Sequence, residues 1–457
     1  MDFRLVILKV FTRKHQLSLQ ADAMTLLQQI LTEHEITNTE DAVLSLEILA
    51  KEYLLHDDCS TIVTKPLLQR VYETVVEKST AAVVDGSQSS EVWDPDHHLY
   101  FIDAFEMPRW HYSLERKAFE KAARKPSVAG TSESKAMFLR DRYNIIKQIV
   151  LRNENFSPPA FAGKDRANYL KARSIYGHID FLGKGSTTVL QDEKWALQVQ
   201  RPENANISIL LISDVRLDDE RTLKGLRALF EQAVEADVIP KIFVLCGNFT
   251  GTPVGNDIEM DSYKDGFTML GEIISEFPSI RTGSHFLFVP GPNDPWSSDV
   301  LPRRPIPPAF VNRVQAKLSK KASFATNPCR IKFMGQEIVI YRQDLMGKMM
   351  RNLVGVKPDL ESADLKRYLV QTILDQVHLS PLALTVQAIS WEFDHALRLY
   401  PMPTAVVLAD NYEPYELTYE GCHVFNPGSF LTNNYGFSTF YMATSRSMPG
   451  GLQAFRV

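Results

Sequence analysis

Four apolar runs beyond residue 206 each stop abruptly at a polar cluster. Ile207–Ile212 ends in Ser213-Asp214-Val215-Arg216, and Ile242–Cys246 ends in Gly247-Asn248. Phe286–Val289 ends in Pro290-Gly291-Pro292-Asn293-Asp294. Val406–Ala409 ends in Asp410-Asn411-Tyr412, with Asn426-Pro427-Gly428-Ser429 further on. Short apolar runs bounded by turn residues predict buried strands. Between them, Arg221–Glu235 carries Leu223, Leu226, Leu229-Phe230 and Val234 on one helical face. Met269–Phe277 and Ser362–His378 read as further helices. Ile331–Phe333 and Ile338–Tyr341 flank Gly335 and predict a hairpin, while Cys422–Phe425 and Phe437–Met442 read as late strands. Alternation of this kind implies an α/β sheet covered by helices, with its chemistry where the strands end.

The first 78 residues follow a helical period instead. Phe3, Val6, Leu8 and Val10-Phe11 form one apolar stripe, and Met24, Leu27, Ile30 and Leu31 form a second. Asn38 or Thr39 can cap a third helix carrying Val43, Leu44, Leu46, Ile48 and Leu49, with Glu40 and Asp41 in its first turn. Thr64 before Pro66 opens a fourth, with Leu67, Leu68, Val71, Tyr72 and Val75. Residues 1–78 thus read as a small all-helical domain whose role is docking.

Residues 79–98 form a Ser/Asp/Gly-rich linker closing on Asp94-Pro95-Asp96. Its His97-His98 pair has no third ligand nearby and reads as a solvated loop. Tyr100–Arg173 is basic and begins with aromatic anchors at Tyr100, Phe101, Phe105, Trp110 and Tyr112. Because the aromatics precede the charges instead of alternating with them, the stretch lacks the pattern of a base-stacking platform. It reads as a connector whose aromatics dock while its charges face water; the competing reading is a strip that touches nucleic acid or an acidic partner. Gly183-Lys184-Gly185-Ser186-Thr187 lacks phosphate-loop spacing and reads as a turn.

At 457 residues the chain is too long for one core. No apolar run approaches the roughly 20 residues needed to cross a bilayer. Met1–Val10 reads as the start of a helix, not as a secretory signal. The four cysteines, at 59, 246, 329 and 422, include no C-x-x-C pair. A reducing compartment, cytosol or nucleus, is expected. A net charge of −5 does not suggest a surface coated for nucleic acid.

The strand ends decide which chemistry is available. A calcineurin-like phosphoesterase with two metals would show D-x-H, G-D, G-N-H-D and G-H-x-H at these four places. This chain shows D-V-R, G-N, G-P-N-D and A-D-N-Y. Asn248 stands where a bridging carboxylate is needed to screen two dications, and an amide oxygen is a weaker bridge. Arg216 stands for a histidine ligand and repels metal. Pro292 and Asn293 stand for the asparagine and the general-acid histidine, and Asp410 and Tyr412 for two further histidines. Asp214, Asp294 and His378 remain as donors, too few for a binuclear centre. The competing reading of Asp214 and Asp294, and the preferred one, is that they hydrogen-bond strand-end amides.

An α/β phosphoesterase frame (a central β-sandwich flanked by helices) without its metal ligands, behind a small all-α domain, resembles the B subunits of the replicative DNA polymerases, those of polymerase epsilon in particular. The resemblance rests on Phe101-Ile102-Asp103-Ala104-Phe105 with Pro108-Arg109, Ser113–Lys117 with Phe119, Ser213-Asp214-Val215 and Leu245-Cys246-Gly247-Asn248-Phe249. It rests also on Phe288-Val289-Pro290-Gly291-Pro292, Thr326-Asn327-Pro328-Cys329-Arg330-Ile331, Ala396-Leu397-Arg398 and Asn426-Pro427-Gly428-Ser429-Phe430. It implies three parts: helical docking domain 1–78, linker and basic connector 79–175, and inactive phosphoesterase domain 176–457.

The same resemblance implies a non-catalytic accessory subunit in the nucleus, without cofactor, that binds the zinc-binding C-terminal region of the polymerase epsilon catalytic subunit. It further implies docking of the N-terminal domain on the GINS component of the replicative helicase, small histone-fold subunits in the same holoenzyme, weak or indirect contact with DNA, and no membrane. The alternatives are a B subunit of another replicative polymerase, or a metal-dependent phosphoesterase with atypical ligands. One departure concerns the OB-fold that these subunits usually carry. Phe156-Ser157-Pro158-Pro159 resembles its entry, and Ile175-Tyr176-Gly177-His178-Ile179-Asp180-Phe181 resembles its exit. Five strands of about 5–6 residues do not fit between them, so most of the barrel is expected to be absent.

Overall fold

A computed structural model describes residues 3–15, 17–33, 42–43, 45–47, 49–50, 53, 62–73, 99–113, 118–122, 129–150, 199, 201–295, 299–354 and 364–452. The expected Asn38/Thr39 cap, His97-His98, Phe156–Pro159, Ile175–Phe181 and the Gly183–Thr187 turn lie outside the described residues. The chain divides into two compact units, Met1–Trp93 and Asp94–Val457.

The first unit is built on helices. Arg4–Leu8 runs into a π-helical turn, Lys9–Lys14, and Ala21–Glu33 follows. A further helix spans 65–73, opened by Thr64, whose carbonyl accepts from the Leu68 amide (3.1 Å). Of the expected stripe residues, Phe11, Leu27, Leu31, Leu46 and Leu68 are fully buried, together with Ile7 and Tyr53, whereas Leu8 faces solvent. The unit is not purely helical. Two short strands, β1 (Ser18–Leu19) and β2 (Ile62–Val63), pair in parallel.

The second unit is a sandwich of two six-stranded sheets with helices on the outside, as the α/β expectation had it. One sheet runs β13 (Tyr415–Tyr419), β14 (Cys422–Asn426), β12 (Ala405–Ala409), β11 (Gln336–Arg342), β10 (Cys329–Phe333) and β3 (Leu99–Asp103). The other runs β16 (Arg446–Gly450), β15 (Phe437–Tyr441), β6 (Ser208–Ile212), β7 (Ile242–Cys246), β8 (His285–Val289) and β9 (Ala322–Phe324). The remaining described strands, β4 (Trp110–Ser113) and β5 (Ala118–Lys121), form a separate hairpin. The central strands β6, β7 and β12 are buried at every position. This is why they read as continuous apolar runs, whereas edge strand β13 alternates between half-buried and exposed. Phe425 of β14 stacks on Phe440 of β15 across the sandwich at 6.0 Å.

Outside one sheet, Phe230, Phe267 and Phe310 pack from three helices, Glu220–Glu235, Asp257–Ser275 and Pro308–Leu318, onto Phe243, Phe286 and Phe288. Outside the other, Leu369, Val370 and Ile373 of Leu365–Asp375 cover Val339, Val406 and Val424. The helix expected at Met269–Phe277 begins twelve residues earlier. Asn256 and Glu259 form a capping box at its start, and its first turns bury little, leaving even Ile258 exposed. The helix expected over Ser362–His378 is Leu365–Asp375, capped by Asp364. The hairpin about Gly335 is present, with Met334 and Gly335 both in the left-handed region.

One expected boundary is corrected. Residues 79–175 were to be a connector ahead of an α/β domain at 176–457. Instead β3 completes that domain's sheet, pairing antiparallel with β10 from Asp103↔Cys329 to Leu99↔Phe333. The cause is a partner 223 residues away: Asp103 Oδ1 accepts from the Thr326 amide (2.9 Å), and Thr326 Oγ1 accepts from the Ala104 amide (2.8 Å). Phe105 packs edge-on against Phe393 at 4.8 Å.

Candidate functional site

The carboxyl ends of β6, β7 and β8 meet those of β11 and β12 where the two sheets face each other. Arg342, the last residue of β11, is fully buried there. Its Nε donates to the Gly247 carbonyl, and its Nη1 donates to Asp344 Oδ1 (2.7 Å) and to the Ala409 carbonyl (3.3 Å). Nη2 stands 3.6 Å from Asp214 Oδ1. Burial works against the charge of this guanidinium, but Asp344 and Asp214 outweigh it and hold its pKa above the ordinary value.

Asp214 is buried, with a left-handed backbone (φ 57°). Its Oδ2 accepts from Arg216 Nη2 (2.9 Å) and from Ser429 Oγ (2.7 Å). Arg216 therefore neutralises the neighbouring carboxylate. Asn248 Oδ1 accepts from the Asn293 amide (2.9 Å), and Asn293 Nδ2 donates to the Gly251 carbonyl (3.2 Å). Pro292 lies half-buried in the same turn. Gly291 has to be glycine: a Cβ would strike Asn248 Oδ1 and the Gly247 carbonyl carbon.

Asp294 Oδ1 accepts from the Phe249 amide (2.9 Å) and the Tyr263 hydroxyl (3.1 Å), and Oδ2 from the Gly291 amide (2.5 Å). Burial pushes its carboxyl up to about 6 in spite of these donors and of Arg342. Asp410 Oδ2 accepts from the Leu345 and Met346 amides (2.7 and 2.8 Å), and Oδ1 from the Tyr412 amide (3.1 Å). Burial raises this carboxyl too. Asn426 secures the loop from the other side, donating to the Tyr412 carbonyl (3.1 Å) and accepting from the Asp410 amide (3.1 Å).

His378 belongs elsewhere. Its Nε2 meets Asp394 Oδ1 at 2.9 Å, and its Nδ1 accepts from the Ser380 amide (3.0 Å). Burial lowers its pKa even against the pull of Asp394, so the ring is neutral at pH 7. Asp394 also accepts from Arg142 Nε (2.9 Å) and Arg398 Nε (3.0 Å), while Asp141 pairs with Arg109 (3.5 Å) and Arg398 (3.6 Å). This network fixes the Ser132–Val150 helix against the 3-10 segment Trp391–Leu397. The expectation that the connector's charges face water is thus corrected for Arg109, Asp141 and Arg142, which turn inward because buried opposite charges wait for them.

A two-metal centre needs uncommitted anionic or imidazole donors around ions about 3.5–4 Å apart. The carboxylates at these strand ends do not fit that demand. Asp294 and Asp410 spend their oxygens on backbone amides, Asp214 is bonded to Arg216 and Ser429, and a guanidinium stands among them. Among the described residues no group of three or more His, Cys, Asp or Glu is placed to hold a metal ion. Sequence reasoning missed Arg342 and Asp344. Their signal was present: Ile338–Tyr341 followed by Arg342-Gln343-Asp344 is the same apolar run ending in a polar cluster.

Comparison with known proteins gives two family matches. Residues 209–417 match the family of DNA polymerase alpha/epsilon B subunits, and residues 132–193 match "DNA polymerase epsilon subunit 2-like, OB-fold domain". DNA polymerase epsilon subunit 2 of Homo sapiens is 30% identical over 91% of this chain and 94% of its own length. The DNA polymerase epsilon B subunit of Schizosaccharomyces pombe is 28% identical over 94% of this chain and 92% of its own length. The alignment with the human protein extends over 508 positions against 457 residues here, so that relative carries residues this chain lacks. The OB-fold match begins within the Ser132–Val150 helix, and its remainder, from residue 151, lies outside the described residues. Among solved structures, an archaeal phosphodiesterase aligns with 53% of this chain and 99% of its own at 10% identity and a TM-score of 0.28.

Proposed function

The chain belongs to the family of DNA polymerase epsilon B subunits, and from that membership we propose that it is a non-catalytic scaffold of the polymerase in chromosomal replication, working in the nucleus. The observation that carries the non-catalytic part is Arg342, a fixed cation among carboxylates already committed to backbone amides and to neighbouring cations and hydroxyls. The positions Asp214, Arg216, Asn248, Pro292, Asn293, Asp294, Asp410 and Tyr412 are then a converted metal site whose present work is to hold strand-end loops in place.

In this reading the Asp94–Val457 unit binds the zinc-binding C-terminal region of the catalytic subunit, and the Met1–Trp93 unit docks on the GINS component of the helicase. The small histone-fold subunits join the same assembly, and DNA is met weakly or indirectly. A rigid two-sheet block supports a broad binding surface, and a second docking module multiplies the effective concentration of one partner near the other. The parts fit the division: a large doubly covered sandwich and a small helical unit with its own core.

The test is co-purification of the full chain with the C-terminal region of the catalytic subunit. A complex at micromolar concentration is expected; none at that concentration sinks the reading. A second measurement addresses catalysis. Turnover of an aryl phosphate with manganese, abolished by Asp214→Ala, would make the protein a metal-dependent phosphoesterase instead.

A further inference from the structure

A phosphoesterase frame implies a pair of divalent ions, and the residues at these strand ends do not fit one. We infer that Arg342 is the resident cation of the site: one buried guanidinium holds the place of the metals and organises the strand ends of both sheets without them.

The position carries the first part of the argument. Arg342 reaches the Gly247 carbonyl at the end of β7, the Ala409 carbonyl at the end of β12, Asp344 just beyond β11, and Asp214 just beyond β6. Asp214 is itself one of the positions a metal pair would use, and Gly247 and Ala409 are the chain neighbours of two others, Asn248 and Asp410. Three carboxylates nearby, Asp214, Asp294 and Asp410, are each 3% exposed or less. Buried anions in one neighbourhood repel unless a cation screens them.

The second part is that the pose is built and not accidental. Asn327 grips the Arg342 backbone from both sides, its Oδ1 accepting from the Arg342 amide (3.1 Å) and its Nδ2 donating to the Arg342 carbonyl (2.6 Å). The same Nδ2 donates to the Pro290 carbonyl (2.9 Å), which ties the clamp to the turn carrying Asp294. Arg342 Nη2 and Asp214 Oδ1 are both buried without a hydrogen bond and face each other at 3.6 Å. Charge, and not bond geometry, is what Nη2 contributes there. A guanidinium can meet two carbonyls and two carboxylates at once because its donors are splayed in a plane; an ammonium is a single point.

The inference rests on the non-catalytic part of the scaffold reading but not on its partners, since it concerns folding; failure to co-purify with the catalytic subunit leaves it standing. The test is thermal unfolding of the full chain with chelator and with manganese. Wild type should melt at the same temperature in both. Arg342→Met should lower the midpoint by roughly 10 °C in chelator, because it leaves buried carboxylates uncompensated. Arg342→Lys keeps the charge and should fold even where Arg342→Met does not, with a midpoint between the two. Adding Asp214→Asn to Arg342→Lys should cost less than Asp214→Asn alone in the wild type. Stabilisation of the wild type by manganese, or an Arg342→Lys midpoint equal to the wild type, overturns the inference.

Discussion

The hydroxyl of Ser429 donates to the Asp214 carboxylate at 2.7 Å across 215 residues of sequence. The bond joins the end of β6 in one sheet to the turn after β14 in the other, and Ser213 and Ser429 add a parallel bridge between the same segments. Hydrogen bonds to a buried charge are worth about 1.5–3 kcal/mol, so Ser429→Ala should cost that much in denaturant unfolding, with the slope unchanged. A loss under about 0.5 kcal/mol would show that Arg216 and Arg342 satisfy Asp214 without the serine.

Thr326 should be as consequential at the other end of its sheet. Its hydroxyl accepts from the Ala104 amide and donates to the Pro328 carbonyl (2.7 Å), both buried. Thr326→Val keeps the shape and orphans both groups, at about 1–3 kcal/mol. Hydrogen exchange should then rise in Leu99–Asp103 before it rises in β12; equal protection in the two strands refutes the account.

Asp394 collects Arg142, Arg398 and His378. Asp394→Asn leaves buried Arg398 and half-buried Arg142 short of an anion, which costs up to about 3–5 kcal/mol. The readout is regional: the Ser132–Val150 helix should lose protection while the Asp257–Ser275 helix keeps it. Uniform loss would mean that the network holds the whole sandwich and not one docked helix.

His395 gives a pH window. Burial first, then Arg398, push its pKa from 6.5 down to about 4, against the bond to the Met107 carbonyl (2.9 Å). The unfolded chain takes up this proton before the folded one does. The contribution to stability is therefore whole above pH 6.5 and is lost as the pH falls from 6.5 toward 4, reaching about 2 kcal/mol at pH 5. His395→Gln can still donate to Met107 but does not titrate. The difference between wild type and variant should shrink in that window; a constant difference from pH 8 to pH 4.5 excludes His395 as its source.

The division of the chain at Trp93/Asp94 predicts that Met1–Trp93 folds alone, on the core of Ile7, Phe11, Leu27 and Leu68. Expressed by itself, it should give a cooperative thermal transition and helical circular dichroism. A featureless melt would show that its core needs the rest of the chain.

Local order along the chain was well forecast, for reasons particular elements make clear. β6, β7, β8 and β12 were readable because strands covered on both faces leave uninterrupted apolar runs. The Asp257–Ser275 helix was half-missed because its first two turns bury little: the apolar stripe only begins at Tyr263. Pairing of β3 with β10 was invisible, since nothing in Leu99–Asp103 names a partner near Cys329. His378 was placed with the wrong group because a histidine after a helix looks the same whether it faces a strand-end site or Asp394.

What the sequence determined by itself is the inventory: apolar runs of strand length and the kinds of polar residue at their ends. Those follow from periodicity and residue chemistry, which are local. What only the tertiary structure decided is where charge goes. Arg342 becomes a central cation because Asp214, Gly247 and Ala409 arrive around it from three other strand ends, beside its own near neighbour Asp344. Arg142 turns inward because Asp394 is buried with Arg398 and His378 beside it. A charge is stable in a protein interior only beside its partner, and that partnership is set by how the sheets face each other, not by the order of residues along the chain.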